Sequence, residues 1–85
     1  MFNVNHFTII GKYIKTESIK NKLYLYIMIE NNNVLRIIIA KGIKDKINEF
    51  CSINETIAVK GYISTNETHE TLLQATQIMF LSNKN

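Results

Sequence analysis

The sequence predicts a small all-β barrel of five strands, with one helix between the third and the fourth strand. The apolar residues are rich in isoleucine, and isoleucine, valine, threonine and tyrosine all favour strands. Apolar and polar side chains alternate over most of the chain, whereas a single short stretch has helical spacing. The 85 residues allow one domain, 1–85, and we expect its last four residues, 82–85, to be frayed.

The first strand is predicted over Phe7–Ile14. Gly11 lies in its middle, which suggests a bulge or a sharp bend of the kind found where a barrel strand turns a corner. The following segment, Lys15–Asn21, is polar and is predicted to be a loop.

A hairpin follows, and its first strand, Lys22–Glu30, has the clearest alternation in the chain. Asn31–Asn33 is predicted to be the turn because asparagine tolerates positive φ, and Val34–Ala40 is the returning strand. We expect one face of the first strand to point into the barrel and the other to point outward. The inward set is Leu23, Leu25, Ile27 and Ile29, and the outward set is Tyr24, Tyr26, Met28 and Glu30.

The helix is predicted beyond Lys41–Gly42, where three apolar residues recur at helical spacing among charged ones. These residues are Ile43, Ile47 and Phe50. We expect all three to cover one end of the core.

Two further strands complete the chain, Glu55–Thr65 and about Glu70 to Leu81. The first of them carries Gly61 and an apolar face of Ile57, Val59 and Ile63. Five strands with a helix between the third and the fourth follow the order of the OB-fold, a Greek-key barrel. A small barrel of the SH3 type does not need this helix and is the second choice.

Residues that could carry out catalysis are few and scattered. His6 and His69 lie at strand ends among polar neighbours, and Cys51 beside the helix end is interpreted as a small buried hydrophobe. No cysteine or histidine pair has metal-ligand spacing, the three glycines stand apart, and Glu67 and Glu70 are ordinary turn residues. We therefore expect no enzyme, no metal and no cofactor.

The charge is unevenly distributed along the chain. Residues 1–46 carry eight basic and three acidic side chains, and residues 47–85 carry two basic and four acidic ones. A basic half suits a polyanionic partner, although an ordinary lysine-rich surface gives the same balance. The single cysteine favours a reducing compartment, Met1–Thr8 does not resemble a secretory signal, and no apolar run approaches ~18–20 residues. We expect a cytoplasmic protein without membrane contact.

The outward face of the hairpin is the candidate binding surface. Tyr24, Tyr26 and Met28 lie there, and Arg36 and Ile38 share that face on the next strand. Bases could stack on the tyrosines while Arg36 meets phosphates, and the same apolar patch could equally be a subunit interface. For Arg36 we favour nucleic acid. A basic track could continue along Lys12, Lys15, Lys20 and Lys22.

Four segments resemble the bacterial single-stranded DNA-binding protein family, in the same order along nearly the whole chain. They match its opening, third, fourth and closing strands, and are Asn5–Lys12, Leu35–Ala40, Glu55–Thr65 and Thr76–Leu81. The resemblance implies an OB-fold that binds single-stranded DNA with little sequence preference. It also implies a homo-oligomer, a dimer or tetramer, active in replication, recombination or repair.

Departures from the family pattern predict a reduced member. The family stacks bases on tryptophan and phenylalanine, whereas Val34, Ala40 and Asn66–Thr68 occupy the matching places. The long hairpin is shortened to Asn31–Asn33, and the chain ends Ser82–Asn85 where the family has an acidic tail. We expect a short site with modest, salt-sensitive affinity.

The leading hypothesis is therefore a non-catalytic protein that binds single-stranded DNA through a basic groove and aromatic stacking. The predicted contact residues are Arg36, Tyr24, Tyr26, Lys12, Lys22, Tyr62 and Lys60. A non-enzymatic OB-fold interaction subunit of a primosome-like replication complex is the main alternative. An RNA-binding OB-fold protein is a third, because stacking alone does not distinguish DNA from RNA.

Overall fold

The computed structural model describes residues 5–81, which form a closed five-stranded barrel with one α-helix. The elements are β1 (His6–Ile19), β2 (Lys22–Met28), a 3₁₀ turn (Glu30–Asn32), β3 (Val34–Ile39), α1 (Lys41–Phe50), β4 (Thr56–Thr65) and β5 (Thr71–Phe80). The strands follow one another around the barrel in the order β1–β2–β3–β5–β4. This order, with α1 between β3 and β4, confirms the predicted OB-fold. The predicted fraying of 82–85 lies outside the described residues.

The barrel closes through one parallel contact. β1 pairs with both β2 and β4, β2 pairs with β3, and β4 pairs with β5, all antiparallel. β3 and β5 are parallel and share a single register pair, Ile38 with Gln74. This pair joins the two hairpins into one continuous outer surface.

β1 is longer than the sequence predicts. The segment Lys15–Ile19, expected to be a loop, continues the strand and pairs with β2. A bulge between Tyr13 and Lys15 shifts the register, which lets one strand serve both neighbours. Lys20 and Asn21, with φ of 48° and 69°, then form a two-residue turn of the kind that suits a twisted hairpin.

Two glycines permit close approach between strands. A Cβ on Gly11 would meet the carbonyl oxygen of Met28, and a Cβ on Gly61 would meet that of Gln74. At Gly61 the register between β4 and β5 also shifts, because Thr76 is an extra residue on β5. The bulge expected at Gly11 lies instead just beyond Tyr13.

The core is built mainly from branched aliphatic side chains of the strands and the helix. Its largest fully buried members are Leu25, Ile27, Ile37, Ile47, Ile57 and Val59. Ile47 comes from α1 and Ile43 packs against the same cluster, so the helix covers the end of the barrel as predicted.

Two residues predicted to be in the core are largely exposed. Phe50 is 60% exposed because it is the last residue of α1 and lies at the rim, where its ring contacts Phe80 at 5.9 Å between centroids. Ile63 is 40% exposed and lies just beyond the last register pair of β1 with β4, where its N–H donates to the Asn5 carbonyl. Both residues follow the apolar spacing of their helix or strand, but the barrel does not extend far enough to cover their side chains.

The helical part of the described chain is short. α1 has ten residues, and no helix between residues 5 and 81 has the length and hydropathy needed to cross a membrane.

Candidate nucleic-acid interface

The outer face of the β2–β3 hairpin carries the predicted aromatic and basic residues side by side. Tyr24 lies opposite Ile38, and Tyr26 lies opposite Arg36. Both tyrosines are half-buried, and Arg36 is exposed. The alternation along β2 produces this arrangement, since Leu25 and Ile27 are fully buried on the other face.

Arg36 lies over the ring of Tyr24. The central guanidinium carbon is 4.5 Å from the ring centroid, a cation–π contact that reaches diagonally from β3 to β2. At an exposed position such a contact stabilises by about 0.5–1 kcal/mol. The contact holds a flat cationic group on the surface, where it can donate to a phosphate.

Tyr26 is surrounded by charged residues of β1. The Lys15 Nζ lies 4.9 Å from the ring centroid, and the Tyr26 hydroxyl donates to Glu17 Oε1 at 2.8 Å. Lys15 and Glu17 also form an ion pair, with 3.8 Å between Nζ and Oε2. Both charged residues lie in the segment predicted to be a loop, and Glu17 was not among the predicted site residues. The available signal was Asn21, which suits the tight turn that returns the chain as a strand.

Tyr62 belongs to the same continuous outer surface. Successive register pairs connect Tyr24 to Ile38, Ile38 to Gln74 and Gln74 to Tyr62. Three strand spacings separate the two tyrosines, which is roughly 14 Å. The Tyr62 hydroxyl donates to Gln74 Oε1 at 3.1 Å, so its ring lies along this row.

The predicted lysines are not gathered in one place. Lys22 begins β2 and shares the outward face of Tyr24, two residues away. Lys12 lies opposite Met28 at the other end of β2, roughly 20 Å from Lys22 along the strand. Lys60 lies on β4 opposite Thr8, two residues before Tyr62 and on the same face of that strand, away from the β2–β3 hairpin. The structure therefore places Lys22 beside Tyr24 and Lys60 beside Tyr62, at opposite ends of the row of paired residues that joins the two tyrosines.

A shallow depression of about 380 Å³ lies beside Lys12. It is bounded by β1, the end of β2 and the 3₁₀ turn, in which Asn31 and Asn32 have φ of 62° and 60°. The positive φ expected for this asparagine turn is thus present. The lining residues are Ile10, Gly11, Lys12, Met28, Ile29, Glu30, Asn31, Asn32 and Thr56.

The turn between β4 and β5 is held by its own side chains. Asn66 Oδ1 accepts from the backbone N–H groups of Thr68 and Glu70 at 2.9 and 3.0 Å. The Glu70 carboxylate accepts from Asn66 Nδ2 and from the Thr68 hydroxyl, each at 3.0 Å. These two hydrogen bonds, and to a smaller extent the charge of Arg36, lower the pKa of Glu70.

Groups suited to metal binding or nucleophilic attack do not converge in the described part of the chain. Between residues 5 and 81, no three histidine, cysteine, aspartate or glutamate side chains are close enough to hold a metal ion. His6 and His69 are exposed, and Cys51 is half-buried against the core.

Comparison with known proteins shows a likeness in fold. No family model and no curated protein sequence matches the chain. Among solved structures, the mitochondrial single-stranded DNA-binding protein Rim1 of S. cerevisiae superposes with a TM-score of 0.77 at 14% identity, covering 98% of this chain and 99% of that one. The single-stranded DNA-binding domain of a Synechococcus sp. protein gives 0.65 at 10% identity, covering 92% and 97%.

Other structures share the fold over part of their length. A chain of the S. pombe Stn1–Ten1 complex gives a TM-score of 0.71 at 20% identity, over 96% of this chain and 62% of that chain. Asparaginyl-tRNA synthetase from Pyrococcus horikoshii gives 0.66 at 11% identity, over 89% of this chain and 19% of that enzyme. At these identities the likeness establishes the OB-fold, and the resemblance to the bacterial family stays a hypothesis.

Proposed function

We propose that this chain binds single-stranded DNA without catalysis, across the outer face of β2 and β3. The observation that carries the proposal is the pairing of each outward tyrosine of β2 with a cation, Arg36 over Tyr24 and Lys15 over Tyr26. Flat aromatic surfaces next to positive charges are the two requirements for binding bases and phosphates together.

The spacing of the tyrosines suits an unstacked strand. Tyr24 and Tyr26 are two residues apart, roughly 6.6 Å along β2, which is about twice the 3.4 Å rise per base of a stacked strand. Bases that contact both rings must therefore be spread apart, as they are in an extended single strand and not in a duplex. Each stacked base contributes about 1–3 kcal/mol, while Arg36, Lys15 and Lys22 meet the backbone.

The structural comparisons support the same class of ligand. Rim1 and the Synechococcus domain are named as single-stranded DNA-binding proteins, and this chain matches each of them over nearly its full length. A role in replication, recombination or repair and a cytoplasmic location are part of the proposal. Tyr62, on the same outer surface, would extend the path toward β4, whereas Lys12 would meet it only at the far end of β2.

A second candidate, assembly with copies of itself or with a replication protein, has a surface of its own. The outer face of β1, β4 and β5 carries an apolar row in which Ile10 and Met79 lie on either side of Ala58, which is itself only 2% exposed. Ile10 is 59% exposed, and Leu81 beside this row is 47% exposed. We propose that any dimer or tetramer, or any primosome-like contact, uses this face and leaves the tyrosines to nucleic acid.

Fluorescence anisotropy with a labelled thymine oligonucleotide at two salt concentrations tests the first proposal, with duplex DNA and RNA of the same length as controls. We expect binding to the single strand that weakens with salt. Tyr26→Ala is expected to lose roughly fivefold to 160-fold in affinity, the equivalent of one stacked base. Lys22 lies beside Tyr24, whereas Lys60 lies beside Tyr62 at the far end of the path, so that Lys22→Ala should weaken binding more than Lys60→Ala. Equal losses for the two lysine variants, or no loss for Tyr26→Ala, would contradict the proposed path.

The mass of the protein in solution tests the second candidate. Ile10→Lys places a charge in the apolar row and is expected to dissociate an oligomer, whereas Tyr26→Ala is expected to leave its mass unchanged. The reverse result would show that the tyrosine face is the subunit interface.

A further inference from the structure

We infer that Glu17 competes with DNA phosphate for Lys15 and thereby limits the affinity of the hairpin face for DNA. The same residue positions the ring of Tyr26. This inference rests on the proposed function and concerns the same face. Glu17 lies on β1 directly opposite Tyr24 in the register of β1 with β2. It is therefore an acidic side chain in the middle of a surface expected to receive a polyanion.

The Lys15 ammonium already has an acidic partner, Glu17. The ion pair measures 3.8 Å between Lys15 Nζ and Glu17 Oε2, and both side chains remain accessible, at 54% and 40% exposure. A phosphate that approaches Lys15 must separate this pair and lie close to the released carboxylate. The carboxylate then takes up a cation from solution, so that the contact releases no net counterion in the wild type.

The second role of Glu17 is to orient the aromatic ring. Its other oxygen accepts the hydrogen bond from the Tyr26 hydroxyl at 2.8 Å, while Lys15 lies over the ring at 4.9 Å. A glutamine at position 17 keeps an oxygen acceptor for Tyr26 and loses the negative charge. An alanine loses both, which allows the two roles to be separated.

The test compares Glu17→Gln, Glu17→Ala and a matched control, Glu49→Gln, by anisotropy with the labelled thymine oligonucleotide over a range of salt concentrations. Glu49 lies on α1 and its substitution changes the net charge by the same amount away from the hairpin face. We expect Glu17→Gln to bind roughly two- to fivefold tighter than wild type at low salt, the equivalent of one exposed ion pair. The slope of log K against log salt should steepen by about 0.7, one additional phosphate contact to a single strand. Glu17→Ala should gain less, because Tyr26 is no longer oriented.

Each outcome has a distinct meaning. Glu17→Gln tighter than Glu49→Gln, with the steeper slope, supports the competition. Wild-type binding with Glu17→Gln equal to or weaker than Glu49→Gln overturns the inference and leaves the proposed function intact. Failure of wild type to bind the single strand even at low salt overturns the proposed function and the inference with it.

Discussion

Gly61 is expected to tolerate no side chain, and Gly61→Ala gives the sharpest test of how β4 and β5 fit together. A Cβ at this position would lie 2.8 Å from the carbonyl carbon of Gln74 and 2.9 Å from the Cα of Ala75, and would press on the Gln74 oxygen. All three are backbone atoms, which cannot rotate away as a flexible side chain does. The two strands must therefore separate at the bulge.

The expected cost is about 2–3 kcal/mol, toward the top of the range for overpacked cores. An 85-residue domain has a total stability of about 4–13 kcal/mol, so the variant should lose a large part of it. The melting temperature should fall by roughly 8–24 °C. Urea unfolding followed by circular dichroism gives both the free energy of unfolding and the slope that reports two-state behaviour.

Gly42→Ala is the matched control for this substitution. Gly42 is the second residue of α1, and a Cβ there meets no atom within 4 Å. Alanine also restricts the unfolded chain, so we expect this variant to gain about 0.5–1 kcal/mol. Gly61→Ala as stable as wild type would refute the close approach at the bulge. A Gly42→Ala variant that loses as much as Gly61→Ala would show that the helix is misplaced.

Three further predictions follow from the site and the core. Arg36→Lys keeps the charge but loses the planar group, so its affinity for single-stranded DNA should fall roughly two- to fivefold with an unchanged salt slope, measured by anisotropy. Ile47→Ala should cost about 2–5 kcal/mol of unfolding free energy in urea, whereas Phe50→Ala, at the exposed rim, should cost about 1 kcal/mol. The lowered pKa of Glu70, caused first by the hydrogen bond from Asn66, makes a stabilising contribution that is present above the unfolded pKa. That contribution should disappear as the pH falls through the folded pKa, and Glu70→Gln should lack this pH dependence in urea unfolding.

The β2–β3 hairpin is the part of the fold that the sequence predicts best. Leu25 and Ile27 must be buried together, and a slip by one residue would expose both, so the alternation determines which way Tyr24 and Tyr26 face. The asparagine turn adds a local signal of its own, since few other residues adopt positive φ so readily. The outward tyrosines could therefore be identified before the structure.

The second half of β1 is the part of the fold that the sequence does not predict. Lys15–Ile19 contains few apolar residues because one side of it faces solvent and the other side meets only the edge of the core. Its strand conformation depends on pairing with β2, a tertiary contact that local composition does not encode. For this reason the contact of Glu17 with Tyr26 was not predicted from the sequence.

The sequence also does not predict which residues become neighbours around the barrel. A positive charge on a strand is easily recognised, but its neighbours depend on strand order and on the extent of the barrel. Lys60 was predicted as a DNA contact on the fourth strand, and only the structure shows that its neighbour across the β1–β4 pairing is Thr8. Phe50 was assigned to the core by its helical spacing, which says nothing about where the barrel ends.

The single register pair between β3 and β5 makes this junction the weakest seam of the barrel. Local opening there breaks the shortest ladder, and we expect the amides of β3 that face β5 to exchange with solvent sooner than those between β1 and β2. An opened seam would also present two unpaired strand edges to other molecules. The seam lies between Tyr24 and Tyr62, so a nucleic-acid strand bound across that surface would hold β3 and β5 together. Ligand binding and closure of the barrel would then be a single coupled equilibrium, visible as slowed exchange in β3.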